Sequence, residues 1–193
     1  MLPRDSDTIM ERLARESHCI MTTKPNDNIM DAAHNTVYIE TSIPSFYYTL
    51  RTDPASVARM HWTRQWWREY AGRSMFITSV AVIEELQQGT AGKNEERSSL
   101  LDQTMILPIS DEVIEIARIY IDKLVMPRDP KGDALHLAFA SYHKADFLLT
   151  WNCRHLANAN KFHHIRVVNF QLGLPCPLLT TPLNFLSGGG EDE

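Results

Sequence analysis

Short apolar runs that end in polar or acidic residues recur along this chain. Val37-Tyr38-Ile39 leads into Glu40, and Phe147-Leu148-Leu149 leads into Thr150, Trp151 and Asn152. Segments with helical patterns separate the runs, and this alternation predicts an α/β fold with a parallel sheet and right-handed crossovers. Ligands of such sheets bind outside the carboxyl ends of the strands, so the polar residues that end the runs are candidates for a functional site.

The alternation predicts five strands, near residues 37–39, 75–78, 105–108, 146–150 and 165–170. Between them, helices are expected over residues 54–70, 80–88, 110–124, 134–142 and 155–160. Asp53 and Ser110 are residue types that cap helix N-termini, and Gly89 is a typical residue just beyond a helix end.

The length of 193 residues suits one domain that buries a sheet between helices. Residues 1–35 are polar and lack strand signals, so they are predicted to be an N-terminal extension to a domain over 36–186. Residues 187–193 combine three glycines with three acids and are predicted to be a disordered acidic tail.

Composition narrows the functional classes. The three cysteines are odd in number and widely spaced, which argues against a disulfide framework or a cysteine-rich zinc site and favours the cytoplasm. No apolar run approaches the roughly 20 residues of a membrane span, so no membrane association is expected. A net charge of −5 excludes binding of nucleic acid by overall attraction, so an RNA or DNA ligand would need local cations or a metal.

Carboxylates are placed where the predicted sheet would gather them. Glu40 ends a strand, Asp133 opens a helix, and Glu84 and Glu85 lie early in another helix, about 100° apart around its axis. Acids gathered in one place repel one another unless a cation joins them, and Mg²⁺ is held by a few carboxylates and water. The pattern predicts a metal-dependent enzyme that acts on phosphates.

Four segments carry a more specific signal. They are Tyr38-Ile39-Glu40-Thr41-Ser42, Glu85-Leu86-Gln87-Gln88-Gly89, Gly132-Asp133-Ala134-Leu135-His136 and Leu148-Leu149-Thr150-Trp151-Asn152-Cys153-Arg154-His155. Each motif alone is weak, but four in this order are specific. Together they resemble the PIN-domain nucleases, and among these the VapC-like toxin ribonucleases of type II toxin–antitoxin systems. The resemblance runs from about residue 36 to residue 186.

The resemblance implies a PIN-like three-layer sandwich, with a central parallel sheet flanked by helices. It implies an endoribonuclease that depends on Mg²⁺ or Mn²⁺, acts on an RNA substrate, forms a homodimer and is neutralised by a cognate antitoxin.

The same resemblance assigns roles to individual residues. Glu40, Glu85 and Asp133 take the three acidic places and would be catalytic metal ligands, Glu85 either directly or through water. The spacing to Gly89 favours Glu85 over Glu84. Asn152 takes a fourth catalytic place, where Asp is commoner, and would orient water or contact the metal ligands without binding the metal itself. Two hydroxyl residues, Thr41 and Thr150, would support the carboxylates through hydrogen bonds.

Several residues and functions have alternative interpretations. Arg154 and His155 are possible phosphate contacts or the solvated start of a helix, and His136 is expected to be a core histidine. The tryptophans between Asp53 and Tyr70 are expected to be core or interface residues in preference to a base-stacking surface. At the level of function, the alternatives are a degenerate PIN domain that binds RNA or a protein partner without cleavage, and a phosphohydrolase of small substrates.

Overall fold

The computed structural model describes residues 35–88, 94–127 and 132–188. These residues form a five-stranded parallel sheet with the strands β1 (Thr36–Ile39), β2 (Met75–Ser79), β3 (Met105–Leu107), β4 (Phe147–Leu149) and β5 (Leu178–Thr180). The strand order is β3-β2-β1-β4-β5, which places β1 at the centre.

Eight helices connect or follow these strands in the described ranges: α1 (Ser42–Tyr47), α2 (Pro54–Tyr70), α3 (Val80–Gln88), α4 (Asn94–Ser99), α5 (Asp111–Asp122), α6 (Asp133–Tyr142), α7 (Ala159–Gln171) and α8 (Pro182–Gly188). Helix α2 packs on α1 and α8, while α5 packs on α6. The expected central parallel sheet flanked by helices is confirmed. None of the helices in the described ranges is both long and apolar enough to cross a membrane.

The central strand explains where the core lies. Val37, Tyr38 and Ile39 have no solvent exposure, as expected for a strand covered on both faces. β1 pairs with β2 on one side and with β4 on the other, so that Tyr38 lies between Ile77 and Leu148. The three strands therefore end side by side, at one edge of the sheet.

The strand expected at residues 165–170 is wrong, and so are the bounds of the helix expected at 155–160. Residues 159–171 form α7, which begins after Asn158, whose side-chain Oδ1 accepts a hydrogen bond from the backbone N–H of Asn160 (3.1 Å). The fifth strand lies later in the chain, at Leu178–Thr180. The buried residues of this region, 165, 168, 169 and 172, have the spacing of one helix face.

Most of the other predicted boundaries agree with the structure, whereas the helices α1 and α8 were not predicted. Asp53 caps α2 by accepting a hydrogen bond from the N–H of Ser56 (2.9 Å), and Ser110 caps α5 through the N–H of Val113 (3.4 Å). Ser187 and Gly188 belong to α8. Gly89, residues 1–34 and residues 189–193 lie outside the described residues.

The aromatic residues of α2 have partners inside the domain. Trp66 has no solvent exposure and its ring stacks on Tyr70 and Phe76, while the ring of Phe185 meets it edge-on at 5.6 Å. The last of these belongs to α8, so the C-terminal helix covers the aromatic face of α2. This face is part of the core.

Candidate active site

The candidate site lies where β1, β2 and β4 end. Glu40 follows β1 directly, and its backbone N–H donates to the carbonyl of Leu149 on β4 (3.2 Å). Glu85 lies on α3, which starts immediately after β2, and Thr150 follows β4. Parallel pairing of the three strands thus brings together residues that are 45 to 110 positions apart in the sequence.

Glu40 is a buried carboxylate with two differently occupied oxygens. Its Oε2 accepts hydrogen bonds from the backbone N–H of Ser42 (3.0 Å), from the Ser42 hydroxyl and from the Thr150 hydroxyl (2.8 Å). No group among the described residues donates to its Oε1. The side chain is therefore fixed through one oxygen while the other keeps its lone pairs free, although the residue is only 7% exposed.

Glu85 is partly exposed and faces two donors. The Thr41 hydroxyl donates to Oε2, and the Nε2 atom of His136 lies 3.3 Å from Oε1. Burial raises the pKa of this carboxyl, but the hydrogen bonds from His136 and Thr41 and the charge on His136 outweigh burial and leave the pKa below its ordinary value. Its neighbour Glu84 is exposed, as the preference for Glu85 predicted.

His136 is buried, as expected of a core histidine, but its ring faces the carboxylates. Its Nδ1 atom is 3.0 Å from the Tyr38 hydroxyl, which in turn is 2.8 Å from the Ser79 hydroxyl. Burial lowers the pKa of this imidazole, but Glu85, Glu40 and Asp133 outweigh that effect and raise it overall. Sequence reasoning did not assign this residue to the site. The available signal was its position three residues after Asp133, on the same face of one helix.

Asp133 and Asn152 form a second pair. The Nδ2 amide of Asn152 donates to Oδ1 of Asp133 (2.7 Å), and its Oδ1 accepts from the backbone N–H of His155 (3.1 Å). Burial raises the pKa of Asp133, against the opposing effects of His155, Asn152, His136 and Lys161. Gly132, rather than Asp133, occupies the N-cap position of α6, so capping does not account for this carboxylate.

The geometry is suited to a cation. Glu40, Glu85 and His136 each have one potential ligand atom, and these three atoms lie within 4.8 Å of one another. Among the described residues, these three side chains are close enough together to hold one metal ion. Asp133, expected to be a ligand, is outside that group. Carboxylate oxygens suit Mg²⁺ and Mn²⁺, while an imidazole suits transition metals more than Mg²⁺.

The two hydroxyls expected beside the site each contact a different carboxylate: Thr41 contacts Glu85 and Thr150 contacts Glu40. Arg154 is exposed, and His155 is half-buried in the turn before α7. The Nδ1 atom of His155 is buried without a hydrogen-bond partner among the described residues. Ser42 was absent from the expected site, although it lies only two residues beyond Glu40.

Comparison with solved structures shows that the fold of this chain is a known one. One match is a chain of VapBC2 from Rickettsia felis bound to a DNA fragment from their promoter, with a TM-score of 0.50 and 17% identity over 76% of this chain and 98% of that one. Another is a chain of a toxin–antitoxin complex from Klebsiella pneumoniae, with a TM-score of 0.50 and 17% identity over 76% of this chain and 97% of that one. The expected resemblance to VapC-like PIN toxins is confirmed for the fold. No family model and no curated protein matches the sequence.

Proposed function

We propose that this protein is a metal-dependent endoribonuclease of the PIN type and the toxin of a toxin–antitoxin pair. The observation that carries the proposal is the meeting of Glu40, Glu85 and His136 at the carboxyl edge of a parallel sheet whose fold is shared with toxin–antitoxin structures. Its substrate is RNA, and its partners are a cognate antitoxin and a second copy of the chain. The proposed place of action is the cytoplasm.

The residues present fit Mg²⁺ or Mn²⁺. Glu40 offers the free Oε1 atom, and Glu85 is held by Thr41 and His136. Asp133 lies outside this group of three, but it is near enough to His136 to contribute to raising its pKa. Three negative side chains with a single imidazole leave an excess of negative charge in a partly buried place, which a dication would offset. When bound, the metal lowers the pKa of a water molecule and stabilises charge on the phosphate.

The protein's own contribution is to fix these groups before substrate arrives. Ser42 and Thr150 hold Glu40, and Thr41 holds Glu85, so neither carboxylate has to reorganise during the reaction. Asn152 holds Asp133 and is in turn fixed by the backbone of His155. In the hydrolysis, a water oxygen forms a bond to phosphorus, the bond from phosphorus to the ribose oxygen breaks, and that oxygen takes up a proton.

Metal removal tests the proposal. The purified full chain is incubated with a structured RNA in the presence of Mn²⁺, and the products are resolved by gel electrophoresis. We expect discrete cleavage that stops on chelation and returns when Mn²⁺ is added in excess of the chelator. Cleavage that persists in the chelator, or no cleavage of a panel of structured RNAs with Mn²⁺ or Mg²⁺, would contradict the assignment.

Asn152→Asp provides a test of the charge at the fourth place. The change puts a carboxylate where an amide now donates to Asp133 at 2.7 Å, so two like charges face each other unless a cation joins them. We expect Mn²⁺ to bind about tenfold more tightly, which corresponds to about 1.4 kcal/mol, and the metal-free protein to melt at a lower temperature.

Calorimetric titration and thermal unfolding measure these two effects, and Asn152→Ala is the control that removes the donor without adding charge. If Asn152→Asp binds Mn²⁺ with the same affinity and stoichiometry as the wild type, residue 152 does not affect metal binding.

A further inference from the structure

We propose that Arg59 binds a backbone phosphate of the RNA at the rim of the active site. The inference rests on the proposed function and adds a substrate contact that the metal site does not include. Arg59 lies on helix α2, which also carries Arg64 and Arg68, and packing of the core does not require a positive charge at this position.

Two aromatic rings fix the guanidinium of Arg59. Its central carbon lies 5.2 Å from the ring centroid of Phe46 and 5.7 Å from that of Trp151. Those two rings also meet each other edge-on, with centroids 6.2 Å apart. The cation is therefore held over an aromatic corner formed by α1 and the segment after β4.

Trp151 ties this corner to the active site. Its backbone N–H donates to the Ser42 hydroxyl (2.8 Å), which itself donates to Glu40. Its indole N–H donates to the Thr63 hydroxyl on α2 (2.8 Å), which fixes the ring. In the sequence the residue stands between Thr150 and Asn152. Arg59 thus lies over the side chain of Trp151, and the backbone of the same residue contacts the active site through Ser42.

The donors of Arg59 remain available. The rings of Phe46 and Trp151 are inclined at 68° to each other, so the planar guanidinium can stack on one of them at most. Its N–H donors lie in its plane, and those that do not face a ring are free to point outward. The backbone carbonyl of Arg59 accepts a hydrogen bond from the Thr63 hydroxyl (2.7 Å), but within the described ranges the guanidinium has no hydrogen bond or ion pair. By contrast, the Nε atom of Arg64 donates to the carbonyl of Tyr47 (2.9 Å), and Arg118 pairs with Glu115. Arg59 is therefore a half-buried cation with a fixed orientation, and among the described residues its guanidinium has no hydrogen-bond acceptor.

A phosphate is the acceptor that matches this arrangement. The guanidinium fork binds two phosphate oxygens at once, and a pre-oriented fork loses less entropy on binding than a free one. A chain of net charge −5 with a carboxylate cluster repels RNA, so attraction must come from local cations. Arg59 is such a cation, and the contacts of Trp151 and Ser42 connect it to Glu40. The competing interpretation is that Arg59 only covers Trp151, a contact worth about 0.5–1 kcal/mol.

RNA binding as a function of salt separates the two interpretations. Binding of a fluorescent structured RNA is measured by anisotropy from 50 to 250 mM KCl with Mn²⁺ present. All variants carry Glu40→Gln, which is expected to slow cleavage enough for binding to be measured on intact RNA. The variants are Arg59→Gln, Arg59→Lys and Arg68→Gln. Arg68 is the matched control because it is exposed on the same helix but lies nine residues away, on the opposite face.

We expect Arg59→Gln to weaken binding about tenfold at the lowest salt concentration and to reduce the slope of log affinity against log salt by about 1. Arg59→Lys keeps the charge but not the fork, so it should restore the slope and only part of the affinity. Arg68→Gln should leave both unchanged. If Arg59→Gln melts below the assay temperature, the loss of affinity in Arg59→Lys decides.

Two results would overturn the inference while leaving the proposed function intact: unchanged affinity and slope in Arg59→Gln, or an equal loss in Arg68→Gln, with the wild type still cleaving RNA. Failure of the wild type to bind or cleave RNA would overturn both. The cleavage assay on the wild type therefore tells the two failures apart.

Discussion

Glu40→Gln is expected to lower the rate of Mn²⁺-dependent RNA cleavage by roughly 100-fold or more, since even partners of metal ligands are worth 10–100-fold. Three donors surround Oε2 of Glu40, so the amide oxygen of glutamine must take that place. The amide NH₂ then replaces Oε1. In the variant, the NH₂ group carries partial positive charge and repels a cation, whereas in the wild type the Oε1 atom of Glu40 can bind one.

Single-turnover cleavage and calorimetric Mn²⁺ titration measure the effect, and near-wild-type thermal unfolding would show that the fold is kept. Glu84→Gln is the matched control: it removes the same charge from an exposed position next to Glu85 and should change neither quantity appreciably. A Glu40→Gln protein that cleaves RNA at the wild-type rate would remove Glu40 from the site.

Trp66→Ala is expected to reduce the free energy of unfolding by about 3–5 kcal/mol, the cost of deleting a large buried aromatic side chain. The ring is fully buried and touches Tyr70, Phe76 and Phe185, so its loss opens a cavity between α2, β2 and α8. Urea denaturation followed by circular dichroism gives the free energy directly.

Trp66→Phe provides the comparison for this substitution. The indole Nε1 atom of Trp66 is buried without a hydrogen-bond partner among the described residues, and an unsatisfied buried donor costs about 1–3 kcal/mol. Phenylalanine removes that donor and keeps most of the ring, so we expect less than half the loss seen with alanine. Equal losses for both substitutions would mean that packing around the ring does not determine stability here.

The central part of the fold followed from the sequence because local and global signals agree there. Val37-Tyr38-Ile39 is apolar throughout, as a strand buried on both faces requires, and it leads directly into Glu40. Asp53 followed by Pro54 specified the start of α2, and Ser110 the start of α5. At these positions the capping chemistry and the hydrophobic pattern predict the same boundary.

The last strand was predicted in the wrong place because, at residues 165–170, the residue types favour a strand while the spacing of the buried residues is that of a helix. Ile165, Val167 and Val168 have the composition of a strand, but the buried positions follow the period of a helix that Asn158 caps. The strand itself, Leu178–Thr180, has only three residues and follows Pro177, which a sequence pattern places in a loop. β5 is an edge strand of the sheet that the described residues form, and a proline is tolerated next to the start of such a strand.

His136 was missed as a site residue for a related reason. The helix around it is almost entirely apolar and buried, so composition alone predicts a core position. Its buried location was expected correctly, and its partners were not. Only the three-dimensional placement of Glu85 beside α6 shows that this buried ring faces a carboxylate, and no local pattern on either helix encodes that distance.

The strand order also determines when during synthesis the site can exist. β1 cannot complete its pairing until β4 has been made, and one of the two hydroxyls that fix Glu40 comes from Thr150, 110 residues later. A chain still attached to the ribosome, with its β4 in the exit tunnel, lacks the Thr150 hydrogen bond to Glu40 and has no Asn152 beside Asp133. The long-range pairing of a parallel sheet therefore delays formation of the site until most of the chain has emerged from the exit tunnel. An enzyme of the proposed activity would not cleave RNA before that stage of its own synthesis.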